Sequence, residues 1–375
     1  MAIDPKQLIE LTDAALAADY TRVRRAAHAL ARDFSKAGND EIAKALRAIV
    51  KKRGVPLRTS GYVESLPVDS KSRLPLVEEQ EWPNNPIFLN DDACRTFSDF
   101  LADVAHVDTL SEKGLASRLG LLLSGPPGTG KTLLAGHVAA KLNRPFYVVR
   151  LDSVISSLLG DTAKNIRTVF DFVPARDAVL FLDEMDAIAK LRDDQHEMGE
   201  LKRVVNTVIQ GLDSLDMQSV VIGATNHAHL LDPAIWRRFP YKIQLENPEI
   251  EVRSDLWKYF LLEGKDEFMF SDILSIISGE MSGADIETAA LTARRHALLE
   301  DRDVDLGAVA LAIVSSRAGR PALPQKMPLD PDQKRQLAIS LKERFHLSGA
   351  DIARLIGVTR QAVYLYLKQD GEGHG

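Results

Sequence analysis

The most informative segment of this chain reads Gly125-Pro126-Pro127-Gly128-Thr129-Gly130-Lys131-Thr132. It follows the apolar run 121–123, which predicts a buried strand, and precedes the helical pattern 133–142. Glycines let backbone N–H groups turn inward around a phosphate, and the start of the helix adds its positive dipole end. Lys131 is expected to reach the β- and γ-phosphates of a nucleotide, and the Thr132 hydroxyl to bind Mg²⁺. The stretch therefore predicts a phosphate-binding loop.

Two carboxylates follow a second apolar run, residues 178–182, some fifty residues further on. They are Asp183 and Glu184, and the carboxyl end of a strand is where ligands bind in open α/β sheets. Asp183 is expected to hold Mg²⁺ through water, and Glu184 to polarise an attacking water. An intact Glu184 favours hydrolysis over nucleotide binding alone.

The pattern along the chain indicates an α/β core between smaller helical units. Short apolar runs alternate with helical patterns between residues 87 and 247, which is typical of a parallel sheet with flanking helices. The predicted strands and units are as follows: strands at 121–123, 146–149, 178–182 and 220–224; a helical adaptor at 1–53; a linker at 54–86; an all-helical lid at 248–318; a second linker at 319–331; and a helical module at 332–369.

Length, apolar content and the single cysteine limit the kinds of protein that this chain can be. The 375 residues exceed the usual size of one domain, and 45% are apolar, which is enough for a sizeable core. Cys94 is the single cysteine, so an intrachain disulfide is excluded. The first ten residues lack the charged segment followed by an apolar segment that is typical of a signal peptide. No apolar run is long enough to cross a bilayer. We therefore expect a cytoplasmic protein without a membrane partner.

These motifs resemble the bacterial AAA ATPases over residues 90–315, in particular the motor core of katanin- and spastin-like proteins. Residues 220–226 resemble the sensor-1 strand of that family, which implies that Asn226 bridges the γ-phosphate and the attacking water. A lid motif of the same family implies that Gly283 and Ala284 lie near the nucleotide. The resemblance implies a P-loop NTPase fold with a helical lid, and ATP and Mg²⁺ as cofactors.

The stretch 231–239 resembles the second region of homology of the AAA family. By that resemblance Arg237 and Arg238 are arginine fingers, which neutralise transition-state charge on the ATP of a neighbouring subunit. The active site of one chain would then be incomplete. The resemblance therefore implies a homo-oligomeric ring, expected to be a hexamer.

Leu158, Leu159 and Gly160 occupy the place of the family's first pore loop. Family members that thread polypeptides usually carry an aromatic residue there, whereas this chain has Leu158. A leucine still offers apolar contact to a protein substrate. The departure weakens the case for threading.

The C-terminal module reverses the charge of the rest of the chain. Between 333 and 368 it holds seven basic and two acidic residues, while the whole chain has a net charge of −6. The pattern of a helix, a turn at Gly357 and a second helix resembles the helix-turn-helix of bacterial DNA-binding proteins. Arg360, Gln361, Tyr364 and Lys368 are the side chains expected to meet a major groove and its phosphates. The alternative is a small helical module for protein–protein contact.

Three hypotheses for the whole chain remain open at this point. The first is an oligomeric motor that remodels a protein or a protein–DNA complex and is tethered to DNA by the C-terminal module. The second is an ATP-dependent DNA-binding switch that does no mechanical work. The third is an ATPase that regulates a partner effector such as a protease.

Overall fold

The chain forms two compact units, Met1–Ser65 and Leu66–Gly375. A computed structural model describes residues 66–69, 72–156, 162–173, 177–190, 198–266, 269–316 and 329–371, with a few positions between 30 and 44. In the first unit the described positions 30, 31, 34 and 42–44 are helical, and Leu30 and Ala43 are buried. The rest of the helical adaptor predicted at 1–53 lies outside the described residues.

A six-stranded sheet forms the centre of the second unit. Its strands in chain order are β1 (Glu78–Gln80), β2 (Gly120–Ser124), β3 (Phe146–Arg150), β4 (Val179–Asp183), β5 (Val220–Thr225) and β6 (Tyr241–Gln244). They lie in the order β1-β3-β4-β5-β2-β6, and β2 to β6 are parallel. This order places the carboxyl ends of β2, β4 and β5 side by side. The four predicted strands are confirmed, and β1 and β6 are additional.

Both faces of the sheet are covered at its centre, so β2 and β5 are buried along their whole length and β3 and β4 up to their last residue. On β2, Leu121 and Leu123 pack into one core while Leu122 points into the other. The first core also contains Phe100 and Leu134 from two of the helices. The helices of this subdomain are α1 (Asp91–Ala105), α2 (Val107–Glu112), α3 (Lys131–Leu142), α4 (Leu151–Ser156), α5 (Thr162–Phe172), α6 (Ala187–Lys190), α7 (Met198–Ser214) and α8 (Pro233–Trp236).

Strand β1 lies within the stretch 54–86 that the sequence predicts as a linker. It pairs antiparallel with β3 at the edge of the sheet, so the sheet is mixed and not parallel throughout. Val68 and Pro75 form a bridge just before it, and the Asn165 side-chain amide on α5 donates a hydrogen bond to the buried Asp69 carboxylate. The described part of this stretch is thus attached to the α/β subdomain.

The lid consists of α9 (Ile250–Phe260), α10 (Phe270–Ile277), α11 (Gly283–Leu299) and α12 (Leu306–Val314). Trp257 is fully buried at its centre, and its indole N–H donates to the Ser278 hydroxyl at 2.9 Å. Ser282 and Asp285 form a capping box that starts α11. None of the described helices combines the length and apolarity that a bilayer crossing requires.

The C-terminal module consists of α13 (Pro331–Phe345), α14 (Gly349–Ile356) and α15 (Arg360–Gly371). Gly357 ends α14 with φ +69°, a left-handed conformation that glycine adopts without a Cβ penalty. The Thr359 hydroxyl accepts a hydrogen bond from the Ala362 N–H at 3.2 Å, as expected for a helix cap. Ile352 and Val363 lie in the same hydrophobic core as Trp257 of the lid. The module and the lid therefore share one core.

Candidate nucleotide-binding and catalytic site

The loop between β2 and α3 has the backbone that a phosphate site requires. Gly125, Gly128 and Gly130 all have positive φ, at +146°, +81° and +92°. A Cβ on Gly125 would lie 1.9 Å from the Leu245 carbonyl oxygen, so no other residue fits there. Glycines with such φ values allow backbone N–H groups to face a phosphate at the start of α3.

Lys131 begins α3 and is nearly buried. Its Nζ donates hydrogen bonds to the carbonyl oxygens of Gly125 and Pro126, both at 2.8 Å. Burial lowers the pKa of this ammonium, and the charges of Asp183 and Asp186 partly offset the effect. A phosphate in the loop would offer Lys131 an anionic partner in place of two neutral carbonyls, which is a stronger interaction.

The two predicted carboxylates lie at the end of β4, next to this loop. Asp183 is the last residue of the strand, and its Oδ1 accepts the Glu184 N–H at 2.9 Å. Burial raises the pKa of Asp183. Burial also raises the pKa of Glu184, and the carboxylates of Asp152 and Asp183 add to that effect. A Glu184 carboxylate with a raised pKa is a better general base than an ordinary surface glutamate.

The oxygen atoms available here suit a magnesium ion. Thr132 stands in the first turn of α3 and offers a hydroxyl, and Asp183 offers a carboxylate. Mg²⁺ prefers hard oxygen ligands and usually keeps several waters beside one or two carboxylates and substrate phosphates. When bound, the ion would neutralise charge on the phosphate oxygens.

Asp186 is a member of this site that the sequence analysis missed. It is 1% exposed, and its Oδ1 accepts the Thr225 hydroxyl at 3.0 Å and the Asn226 N–H at 3.2 Å. It thus joins the turn after Glu184 to the end of β5, where Asn226 lies. An acidic residue three places after Asp183 gave no signal by itself, because its partners are about forty residues away.

The lid contacts the phosphate loop directly. The Ala284 N–H donates to the Gly128 carbonyl at 3.1 Å, and a Cβ on Gly128 would lie 2.7 Å from the Ser282 hydroxyl. Gly283 and Ala284 open α11 at this point. The structure thus brings both predicted lid residues to the phosphate loop.

A cavity of about 350 Å³ lies between the phosphate loop and the lid, within the usual size range of small-molecule sites. Its apolar walls include Phe88, Leu133, Val252 and Leu256, and such walls suit a flat heteroaromatic base. No sequence motif marks any of these four residues as part of a site. They are ordinary apolar positions of three different segments, and only the fold brings them together.

The two predicted finger arginines follow α8 and differ in their surroundings. The Asp232 side chain caps α8 and Ile235 is buried beneath it. Arg238 donates to the Asp213 carboxylate at 3.0 Å, whereas Arg237 is exposed and has no side-chain hydrogen bond or ion pair among the described residues. Arg118 forms a second ion pair with Asp213 at 3.4 Å. The turn that carries both arginines is thus held to the end of α7.

The remaining predicted site residues divide into two groups. Leu158, Leu159 and Gly160 lie outside the described residues. Arg360, Gln361, Tyr364 and Lys368 are all exposed on α15, and 66% of Tyr364 is accessible to solvent.

Comparisons with known proteins point to one family. Residues 121–247 match the model described as "ATPase family associated with various cellular activities (AAA)". An uncharacterised AAA family ATPase of Sinorhizobium fredii is 42% identical over 171 residues, covering 46% of this chain and 52% of that protein. A proteasome-activating nucleotidase of Methanopyrus kandleri is 31% identical over 262 residues, covering 66% and 59%. The chain thus spans little more than half the length of these relatives.

A solved structure supports the same fold. The crystal structure of the FIGL-1 AAA domain superposes with a TM-score of 0.53 at 23% identity, covering 72% of this chain and 92% of that one. The phosphate loop and the two carboxylates lie within residues 121–247, which match the family model. Residues 121–247 thus match the AAA ATPase family model, and the solved structure supports the fold of this region.

Proposed function

We propose that this chain is an ATP-hydrolysing AAA motor that works as a ring-forming homo-oligomer, expected to be a hexamer. The observation that carries the proposal is the exposed position of Arg237, which has no side-chain hydrogen bond or ion pair among the described residues. Lys131, Asp183, Glu184 and Asn226 meet at one edge of the sheet, while Arg237 lies exposed beyond α8. A ring would let Arg237 of one subunit serve the ATP of the next.

The chemistry of each residue follows from its position. Lys131 would leave the two loop carbonyls for the β- and γ-phosphates. Glu184 would orient a water and accept its proton as the water oxygen attacks the γ-phosphorus and the bond to the bridging oxygen of ADP breaks. Asn226, held through its N–H by Asp186, would align the same water. Arg237, with Arg238 beside it, would neutralise charge on the transferring group in trans.

A protein or protein–DNA complex is the substrate that we propose for the motor. Relatives named proteasome-activating nucleotidase and spastin homolog support a protein substrate. For the DNA tether, support comes from the basic C-terminal module, in which a helix, a left-handed glycine turn and a capped second helix follow one another. We infer that this is a helix-turn-helix whose Arg360, Gln361, Tyr364 and Lys368 meet DNA.

A DNA-binding switch without mechanical work is the second candidate. The observation that favours it is the core that the module shares with the lid, because the lid borders the nucleotide cavity. Variants at Leu158 separate the two candidates. Loss of remodelling with ATPase and DNA binding intact favours the motor, and an unchanged phenotype favours the switch.

The first experiment measures the ATPase rate against protein concentration, with and without duplex DNA at fixed salt. Salt is held constant because phosphate contacts depend on it steeply. We expect the rate per chain to rise cooperatively with concentration and to rise again with DNA. A rate per chain that is independent of concentration would contradict the ring, and a rate that ignores DNA would favour a protein partner for the C-terminal module.

A mixing experiment tests the arginine in trans. Arg237→Ala chains keep their own phosphate loop, and Lys131→Ala chains keep their arginines, so each alone should be nearly inactive. Mixed rings contain sites with an intact loop on one side and an intact Arg237 on the other. We expect the mixture to exceed the summed rates of its components. If Arg237→Ala alone hydrolyses ATP at the parent rate, the proposed finger is wrong.

A further inference from the structure

Helix α12 is buried along most of its length, and the rest of its residues are half-buried. Gly307, Ala308, Val309, Ala310, Ala312 and Ile313 are all buried within its nine residues. A helix that is apolar all round must be covered all round. Here α10 and α11 of the lid pack on one side, and α13 and α14 of the C-terminal module pack on the other.

The contact between α12 and the module is close and specific. A Cβ on Gly307 would lie 3.5 Å from the Ile356 Cα, so the backbones of α12 and α14 come near each other at this glycine. At the other end of α12, the Arg344 guanidinium of α13 donates to the Val314 carbonyl at 3.1 Å. Leu337, Ala338 and Leu341 of α13 complete the same core. The module is therefore packed onto the lid and not merely linked to it.

The lid also contacts the nucleotide site. The Ala284 N–H is bonded to the Gly128 carbonyl, and the cavity has walls from both subdomains, including Leu133 from α3 and Val252 and Leu256 from α9. A ligand in this cavity touches both subdomains at once. Its binding energy therefore depends on how the lid is placed against the phosphate loop.

We infer that the C-terminal module is a structural part of the lid, so that the nucleotide in the cavity sets the DNA affinity of α15. This inference rests on the proposed DNA contact. Tyr366 and Leu367 of α15 pack against the shared core, while Arg360 and Lys368 face solvent on the same helix. Any change in the lid position that a nucleotide favours therefore carries the exposed face of α15 with it.

Linkage makes the inference quantitative. If a nucleotide changes the DNA affinity by some factor, DNA must change the affinity for that nucleotide by the same factor. Couplings between two sites of one protein are typically about fivefold or more. A titration of DNA and a titration of nucleotide must therefore give the same coupling factor.

The experiment uses the full-length chain and a short labelled duplex at fixed salt. Anisotropy gives the dissociation constant for the duplex without nucleotide, with ADP and with a non-hydrolysable ATP analogue, and a fluorescent nucleotide analogue gives the reciprocal titration. We expect the DNA affinity to differ by about fivefold between nucleotide states, with an equal factor in the reverse titration. Sedimentation under the same conditions records the oligomeric state.

A matched pair of variants separates coupling through the lid from avidity of an assembled ring. Gly307→Ala adds one methyl group 3.5 Å from the Ile356 Cα and 3.2 Å from the Asp305 Oδ1, so the Asp305 carboxylate must shift by a few tenths of an ångström. Gly307→Val adds two further methyl groups beside the same α14 backbone. We expect the alanine variant to keep the difference between nucleotide states. The valine variant, which parts α14 from α12, should reduce that difference while the rate of ATP hydrolysis persists.

Three results would overturn the inference, and the first two differ in whether the proposed DNA contact also falls. Measurable DNA binding with one affinity in all nucleotide states overturns the coupling and leaves the DNA contact standing. Absence of DNA binding in every state overturns the coupling together with the proposed DNA contact. A nucleotide effect that survives in Gly307→Val and follows assembly in sedimentation also overturns it, because avidity then explains the effect.

Discussion

Two regions of the molecule are rich in charge: the edge of the sheet where the carboxyl ends of β2, β4 and β5 meet, and the exposed face of α15. They differ in how far their charged side chains are buried and bonded to neighbours. At the edge, Lys131 and Asp186 are nearly buried and each bonds to more than one partner. On α15, Arg360 and Lys368 are exposed, and the opposite face of the helix joins the lid core. Buried and connected charges lose several interactions when one is changed, whereas exposed charges act nearly independently.

Glu184→Gln should have the largest effect. The amide keeps the shape of the side chain but cannot accept a proton from water, so we expect the ATPase rate to fall about 10³-fold while nucleotide binding is retained. Turnover assays and nucleotide titrations measure the two quantities. Glu112→Gln, at the exposed end of α2, is the matched control. Parent-rate hydrolysis by Glu184→Gln would contradict the role assigned to Glu184.

Asp186→Asn should have the second largest effect and tests whether connectivity matters at this edge. The substitution preserves volume but weakens the bonds from the Thr225 hydroxyl and the Asn226 N–H. Loss of a charge-assisted hydrogen bond at this position should lower kcat about tenfold, with KM nearly unchanged.

A second aspartate gives the control for this prediction. Asp216 accepts bonds from Gln218 and Ser219 within an exposed turn, so Asp216→Asn should leave kcat at the parent value. Equal kcat values for the two variants would show that Asp186 does not position Asn226.

Arg360→Ala and Lys368→Ala should have smaller and additive effects on DNA affinity. Each removes one exposed cation, so we expect the slope of log affinity against log salt to fall by about one per substitution. Arg354→Ala is the control, because that guanidinium is already paired with Asp351. Salt titrations of duplex binding measure the slopes. Unchanged slopes in both α15 variants would remove these residues from the DNA contact.

Ser348→Ala should have the smallest effect and concerns only the stability of the module. The Ser348 hydroxyl accepts the Asp351 N–H at 3.1 Å and starts α14. Loss of such a cap costs about 1 kcal/mol, which denaturant unfolding measures, and the ATPase rate should not change. Thr359→Ala removes the corresponding cap of α15 and should cost a similar amount. A fall in the ATPase rate of either variant that exceeds its loss of stability would mean that the caps also position the site.

Much of the candidate site could be predicted because its sequence signals are local. The glycines, Lys131 and Thr132 are contiguous, and Asp183 and Glu184 directly follow an apolar strand. An apolar run followed by glycines and then by a helical pattern is enough to predict a loop between a strand and a helix. The two strands predicted in this way, β2 and β4, were confirmed. The C-terminal helices were also visible, since Gly357 and Thr359 are local stop and start signals.

Other features depended on contacts between residues that are far apart in the chain. The three residues of β1 have no periodicity to detect and become a strand only against β3. Asp186 meets Asn226, and Arg238 meets Asp213, through side chains from separate elements. Local sequence thus sufficed for the phosphate loop, the carboxylates and the helix caps. Tertiary packing decided three features: the pairing of the edge strand β1, the contact of Asp186 with Asn226, and the core that the module shares with the lid. Burial and pairing are properties of the folded chain and not of any one segment.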